Sequence, residues 1–456
     1  MTQAPRTCRP EKRARNHLPS QFEARAPGLR RGPRRYVKSI IAEAGAEPLS
    51  IHDARRSFVP DRPAGARRRM LADSGHEQAI RDGVRAVVTR FDDDYWLARD
   101  EDGRFPDGFH RAMAEAGWLG ITMPEAYGGS GLGVTEAAIM MREVASHGGG
   151  MAACSAVHVN LFGPHPIVVH GTDEQKGRWL PPLIRGEDRC CFGFTEPDAG
   201  LDTTRITTFA EKVPGGYVVT GKKVWTSTAQ VASKIMLLTR TTRYEDCARP
   251  TDGMTIFYTD LDRSRIDVRR IAKMGRKAVD SNELFIDGLF IPEADRVGEE
   301  GKGFAAILHS LNPERILVAA EAIGIGHDAL ARAARYARER IVFGRPIGQN
   351  QGVQHPLAER WMALESAWLM AMKAAALYDA GRPCGAEANS AKFLGGRAGH
   401  DAAWTAMTTH GGFGYAKEYH VERLYREVAI TRLAPITEQL ILNFIAERVL
   451  DLPRSY

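Results

Sequence analysis

Cysteine is scarce in this sequence: six residues in 456, Cys8, Cys154, Cys190, Cys191, Cys247 and Cys384, at irregular spacing. So few, with no C-x-x-C pair among them, make neither a disulfide framework nor a zinc ribbon, and a reducing, cytoplasmic compartment is expected. Long apolar runs are missing as well. None approaches the ~18 residues that a membrane span requires. The scattered histidines form no H-E-x-x-H and no triad signature, so metalloenzyme and hydrolase chemistry find no support and no metal is expected. Gly324-Ile-Gly326-His-Asp-Ala329 imitates a G-x-G-x-x-A turn, but it lies inside a helical pattern instead of following a strand, which removes its meaning as a nucleotide fingerprint.

An excess of basic charge is present, but only locally. The formal net charge is +6. Residues 1–70 hold 17 of the 62 Lys and Arg and 6 of the 56 Asp and Glu, which leaves 45 basic against 50 acidic groups in the remainder. A pI near 9.0 therefore says nothing about the folded part, and no nucleic-acid partner is expected. Segments such as RTCRPEKRARNH and RPAGARRRM read as a disordered extension. No apolar h-region marks a secretory signal, and the six acids argue against a mitochondrial transit peptide. Met70, just ahead of the first helical pattern, is expected to be the natural start.

From about residue 71 to 190 apolar residues recur at three- and four-residue spacing, as in HEQAIRDGVRAVVTRF, and predict helices. The paired prolines of RWLPPLIRG are expected to end the last of them. Residues 191–300 change texture: CCFGF, GYVVTGKKVWTST, KIMLLTR, MTIFYTDL, IDVRRI and NELFIDGLFI are short and β-branched or aromatic, with turn residues between them. They predict a compact antiparallel barrel or sandwich. Residues 301–456 return to helical periodicity. Helices grouped around a segregated β block indicate an α+β fold. Cys190 and Cys191 begin a strand and belong to its core.

The motifs are more specific than the periodicity. Phe192-Gly-Phe-Thr-Glu196-Pro-Asp-Ala-Gly200-Leu-Asp202 and Gly221-Lys-Lys-Val-Trp225-Thr-Ser227 resemble the acyl-CoA dehydrogenase signatures T-E-P-x-A-G-S-D and G-x-K-x-W-I-T. Glu339-Arg340-Ile-Val-Phe343-Gly344 with Gln351, His410-Gly411-Gly412-Phe-Gly414 and Glu422-Arg-Leu-Tyr-Arg426-Glu follow in the family's order. The resemblance runs from about residue 77 to the end. It implies an N-terminal helical domain, a central β-domain and a C-terminal four-helix bundle. It also implies FAD, an acyl-CoA substrate, an electron-transfer flavoprotein as electron acceptor, and a homotetramer or homodimer. By this resemblance Thr195 and Ser227 bond the isoalloxazine, Trp225 packs on it and Phe192 lies beside it. Arg340, Phe343, Gln351, Gly412, Thr437 and Gln439 belong to the pyrophosphate and adenosine end, across a subunit interface. A guanidinium suits pyrophosphate, and glycine admits a close backbone approach. Two positions depart from the pattern: Leu201 stands where the family has Ser, beside flavin phosphate or substrate, and Thr408 where a Gln is common.

The implied reaction removes the α-proton of a CoA thioester, so it needs a carboxylate base and donors on the thioester oxygen. Many members carry the base in an Ile-Tyr-Glu-Gly-Thr segment. The matching run here is Leu433-Ala-Pro435-Ile436-Thr437-Glu438-Gln439, which puts proline at the base position. The isovaleryl-CoA and long-chain types place the base on the first bundle helix, where this chain has Asn312-Pro313-Glu314-Arg315. Glu314 is the expected base, oriented by Arg315, with Asn312 near the CoA chain and Glu438 as the fallback. Pro435 also removes a backbone N–H that the family uses on the thioester oxygen. A displaced donor near Ile436 is therefore expected, together with a kink or bulge at Pro313. Chain length and branching of the acyl group stay open. So do an acyl-CoA oxidase and a non-catalytic CoA-ester-binding member of the same fold.

Overall fold

Apolar side chains three and four apart wind the first part of the structure into helices. The computed structural model describes residues 75–454, the His309 side chain apart; the basic segment 1–70 and Met70 lie outside the described residues. Helix α1 (Gly75–Val88) buries Ile80, Val84, Val87 and Val88. Helix α2 (Asp93–Asp102) starts at Asp92, whose carboxylate accepts from the Tyr95 N–H, and stops at Gly103 in the left-handed region. Helices α3 (Asp107–Glu115), α4 (Val134–Ala145), α5 (Gly150–Phe162), α6 (His165–His170) and α7 (Asp173–Ile184) follow. Every residue of α5 is buried, as suits a helix apolar on all sides. Its polar residues Ser155, His158 and Asn160 are then exceptions that need partners. As expected, α7 ends within the RWLPPLIRG segment: Pro181 and Pro182 lie in its final turn, which closes at Ile184.

Eight strands form the middle region: β1 (Cys190–Gly193), β2 (Phe209–Val213), β3 (Gly216–Ser227), β4 (Lys234–Arg240), β5 (Met254–Asp260), β6 (Ile266–Arg270), β7 (Ser281–Pro292) and β8 (Arg296–Val297). They make one sheet in the order β6-β7-β3-β2-β4-β5-β8, with β1 on β4. Pairing is antiparallel except where β1 and β2 meet β4. Cys190 and Cys191 are buried in the sheet's core, and burial pushes the Cys190 thiol up to about 12. The β3–β7 register shifts between Lys223 and Thr226, a bulge that sets Trp225 at φ 61°.

Helix α8 (Gly303–Glu339) opens the last region, followed by the hairpin β9 (Ile341–Val342) and β10 (Arg345–Pro346). Helices α9 (Gln351–Asp379), α10 (Gly385–His410), α11 (Val421–Val428) and α12 (Glu438–Arg448) complete it. The expected bulge at Pro313 is not formed, and α8 is α-helical from end to end. A proline inside a helix costs about 3 kcal/mol. Burial of side chains such as Ile316, Leu317 and Ile323 stabilises by about 1.5–3 kcal/mol each, so packing outweighs it. The glycines of the G-x-G imitation serve this packing. A Cβ on Gly324 would sit 2.4 Å from the Arg142 carbonyl of α4, and one on Gly326 would sit 2.6 Å from Leu364 of α9. Among the described residues no helix is long and apolar enough to cross a membrane.

Candidate functional site

Two carboxylates on α8 define the centre of the site. Glu314 and Glu321 are seven residues apart, two helical turns, and so share one face. That face meets α5, where His158 Nδ1 contacts Glu321 Oε1, both side chains buried. The second oxygen, Glu321 Oε2, is buried with no hydrogen-bond partner. Burial disfavours an imidazolium, yet the neighbouring Glu321 carboxylate outweighs it and raises the His158 pKa. Among the described residues Glu314 has no such partner. Burial raises its carboxyl to about 7, and the charges of His158 and Arg315 only partly offset this. Arg315 does not grip Glu314 directly: its Nη1 donates to Asn312 Oδ1 at 2.8 Å, which joins two of the expected substrate residues to each other.

The fallback carboxylate has a different environment. Glu438, buried at the start of α12, accepts from Arg432 Nε at 2.6 Å and Nη2 at 3.0 Å, and from Arg397 Nε at 3.2 Å and Nη2 at 3.0 Å. Those hydrogen bonds, Arg432's first, hold it down at about 2. Glu438, the expected fallback, is thus an ion-pair acceptor for two arginines. Close by, Lys392 Nζ donates to the Ile436 carbonyl at 2.6 Å and Thr437 caps α12 through Leu440 N at 3.4 Å. Between them they fix the Ile436 segment, whose Pro435 has neither an N–H to donate nor a group to accept a proton.

The aromatic and hydroxyl residues of the motifs gather at one end of β3. Trp225 leaves the bulge 59% exposed, a large apolar residue that the chain covers only in part. The Thr195 carbonyl accepts from Val224 N at 2.9 Å, tying the two motifs together. Phe192 packs at a tilt, its centroid 3.5 Å from Phe194 and 5.1 Å from Phe162 of α5. Beneath them Lys223, fully buried, donates to Glu196 at 2.8 Å, and Glu196 takes Thr207 N at 2.6 Å and Thr208 N at 3.0 Å. This pair anchors the loop that carries Leu201, which is half exposed. Ser227 accepts from Arg276 Nη2 at 2.9 Å.

A second cluster lies far from this one. Tyr336, Arg340, Val342, Thr408, Gly412 and Phe413 line a cleft between the C-terminal end of α8 and the turn after α10. Arg340 stands 5.8 Å over the Phe413 ring, and a Cβ on Gly412 would meet no atom within 4 Å. Gln351 and Gln439 are exposed, and Phe343 is exposed completely. Glu314 and Tyr336 are 22 residues apart on one unbroken helix, about 33 Å at 1.5 Å per residue. One chain therefore does not bring its Arg340 cluster to its own Glu314.

His158, Glu321 and Arg276 were not anticipated from the sequence. The seven-residue spacing of the two glutamates and a lone histidine in an apolar helix were signals for the first two. Arg276 offered none.

Three family models match the chain in succession: acyl-CoA dehydrogenase N-terminal domain at residues 74–187, middle domain at 191–289 and C-terminal domain at 301–450. The acyl-CoA dehydrogenase FadE12 of Mycobacterium tuberculosis is 34% identical over 396 residues, covering 84% of this chain and 98% of that protein. Benzylmalonyl-CoA dehydrogenase of Aromatoleum aromaticum is 36% identical over 355 residues, 77% of this chain and 92% of that one. Among solved structures, butyryl-CoA dehydrogenase from Megasphaera elsdenii superposes with a TM-score of 0.78 at 27% identity, over 83% of this chain and 98% of that chain.

Proposed function

Because the chain belongs to the acyl-CoA dehydrogenase family, we propose that Glu314 is the base that takes the α-proton of its acyl-CoA substrate. The enzyme is an FAD-dependent oxidoreductase of that family. The observation that carries the assignment is the contrast between its two candidate carboxyls: Glu314 is raised to about 7, whereas Glu438 is held at about 2 by two arginines. A base poised near the working pH combines the right protonation state with the drive to accept a proton. Glu438, held ionised by its arginines, is too weak a base.

The chain's own residues fit the cofactor. An exposed Trp225, the Ser227 hydroxyl and the Thr195 segment suit a flavin ring, while Arg340 and the open backbone at Gly412 suit a pyrophosphate. When bound, FAD supplies the acceptor for the hydride leaving the β-carbon. Glu314 removes the α-proton and holds it, and Asn312 with Arg315 lines the approach of the CoA chain. The Ile436 N–H, steadied by Lys392 on the neighbouring carbonyl, takes the thioester oxygen as negative charge develops there. The ~33 Å between Glu314 and the Arg340 cluster supports a pyrophosphate site completed by a second copy of the chain, in a dimer or tetramer. Trp361, Met362 and Leu369, exposed on α9, supply apolar surface for such contacts. An electron-transfer flavoprotein then reoxidises the enzyme.

Anaerobic addition of a panel of straight and branched acyl-CoAs, read on the flavin absorbance, tests this function. Bleaching with one class of ester, stable until an electron-transfer flavoprotein is added, is the expected outcome. Rapid bleaching reversal by air would make it an oxidase, and tight binding without bleaching would make it a non-catalytic member.

A further inference from the structure

Arg276 is a charged residue beside the site for which proton abstraction has no use. It lies in the loop between β6 and β7, with φ at 53°, a left-handed conformation that a long side chain adopts only when its surroundings hold it there. Lys273 Nζ braces the loop, donating to the Arg276 carbonyl and, at 2.5 Å, to that of Val279. The guanidinium reaches three hydroxyls on three elements: Ser155 of α5 at 3.2 Å, Ser227 of β3 at 2.9 Å and Ser281 of β7 at 3.1 Å. Among the described residues no carboxylate lies within ion-pair distance of it; Glu321, Asp280 and Glu427 act on it only from farther away.

These contacts dictate which way a proton points. A guanidinium is all donor, so each serine must accept from it through an oxygen lone pair. The Ser227 hydrogen then cannot point back at Arg276 and is turned toward whatever lies on its other side. On the reading given above, that is the flavin ring. We propose that Arg276 is a positioning residue that fixes Ser227 as a hydrogen-bond donor to the isoalloxazine and sets an incompletely neutralised positive charge behind it, so raising the reduction potential of bound FAD. A charge-assisted donor favours added electron density on the ring over the oxidised form, and the partly buried setting keeps water from screening it.

The test is the midpoint potential of the FAD-loaded full chain in wild type, Arg276→Gln, Arg276→Lys, Ser227→Ala and the double variant Arg276→Gln/Ser227→Ala. Arg276→Gln is expected to lower the potential, changing the oxidised-to-reduced ratio at fixed potential by about tenfold, or about 30 mV for two electrons. Arg276→Lys restores part of the loss because the charge remains. In the Ser227→Ala background the Arg276→Gln effect shrinks, since the relay is already cut. Should Arg276→Gln fail to fold, the comparison of Arg276→Lys and Ser227→Ala with wild type decides the matter, each expected to lie below it. Variants that bind FAD at an unchanged potential overturn the proposal while leaving the family's chemistry intact. A wild-type chain that takes up no FAD overturns the cofactor reading itself, and this inference with it.

Discussion

Glu314 and Glu321 lie two turns apart on one helix face, and the deeper one, not the base, has His158 against it. The imidazole pairs with Glu321 and leaves Glu314, among the described residues, without a hydrogen-bonded counter-charge, so that burial is the largest influence on its proton affinity and the charges of His158 and Arg315 only partly oppose it. Replacing Glu314 by glutamine keeps the shape and removes the base. Flavin reduction by acyl-CoA is expected to slow by roughly 10²–10⁴-fold while FAD content stays at the wild-type level. Anaerobic stopped-flow absorbance measures both, and bleaching at the wild-type rate would move the base elsewhere.

The pH profile follows from the same carboxyl. Glu314 works ionised, so kcat/KM should climb as pH rises and level off above about 7. Charged groups face it from two elements: His158 on α5, and Arg315 and Glu321 on α8 itself. His158→Gln removes a cation that favours the carboxylate and strips Glu321 of its partner. Both changes disfavour ionisation of Glu314, so the inflection is expected to move to higher pH. A profile that keeps its inflection in His158→Gln contradicts this electrostatic account.

The Arg340 cleft can be probed without disturbing the fold. A Cβ at Gly412 meets no atom of the chain, so Gly412→Val is expected to change the unfolding free energy by no more than ~0.5 kcal/mol. The added side chain projects toward the place given to the pyrophosphate and should weaken FAD retention. Equilibrium unfolding of the FAD-stripped protein and FAD titration of the refolded one measure the two effects separately. Unchanged FAD affinity would remove this cleft from the cofactor site.

How far the sequence reached depended on whether a residue's role is local. Trp225 and Ser227 sit in a contiguous motif, and the short strands and periodic helices around them are carried by spacing and turn chemistry alone. Pro313 is a case where a local rule lost to packing: tertiary burial kept its helix continuous through the proline. Arg276 was invisible for the opposite reason. Its three serines come from positions 155, 227 and 281, and only the folded sheet and helix bring them to one guanidinium. The role of Glu438 was open in one dimension, because Arg397 arrives from α10, 41 residues away.

Glu438 itself gives the last prediction, on stability. Its carboxyl is held at about 2 in the fold against an ordinary 4.5, and a depressed acid stabilises the native state wherever it is ionised in both states. That contribution is complete above about pH 4.5 and disappears as pH falls toward 2. Arg432 and Arg397 are partly solvated, 35% and 48% exposed, which screens the pair, so Glu438→Gln is expected to cost about 1–3 kcal/mol at pH 7. The gap between wild type and variant should narrow steadily between pH 4.5 and 2, measured by denaturant unfolding at each pH. Bleaching per bound FAD should be unaltered by Glu438→Gln, since this carboxylate is fully engaged by arginines and takes no proton from the substrate. A variant that unfolds like wild type but no longer bleaches would reverse the assignment of the two glutamates.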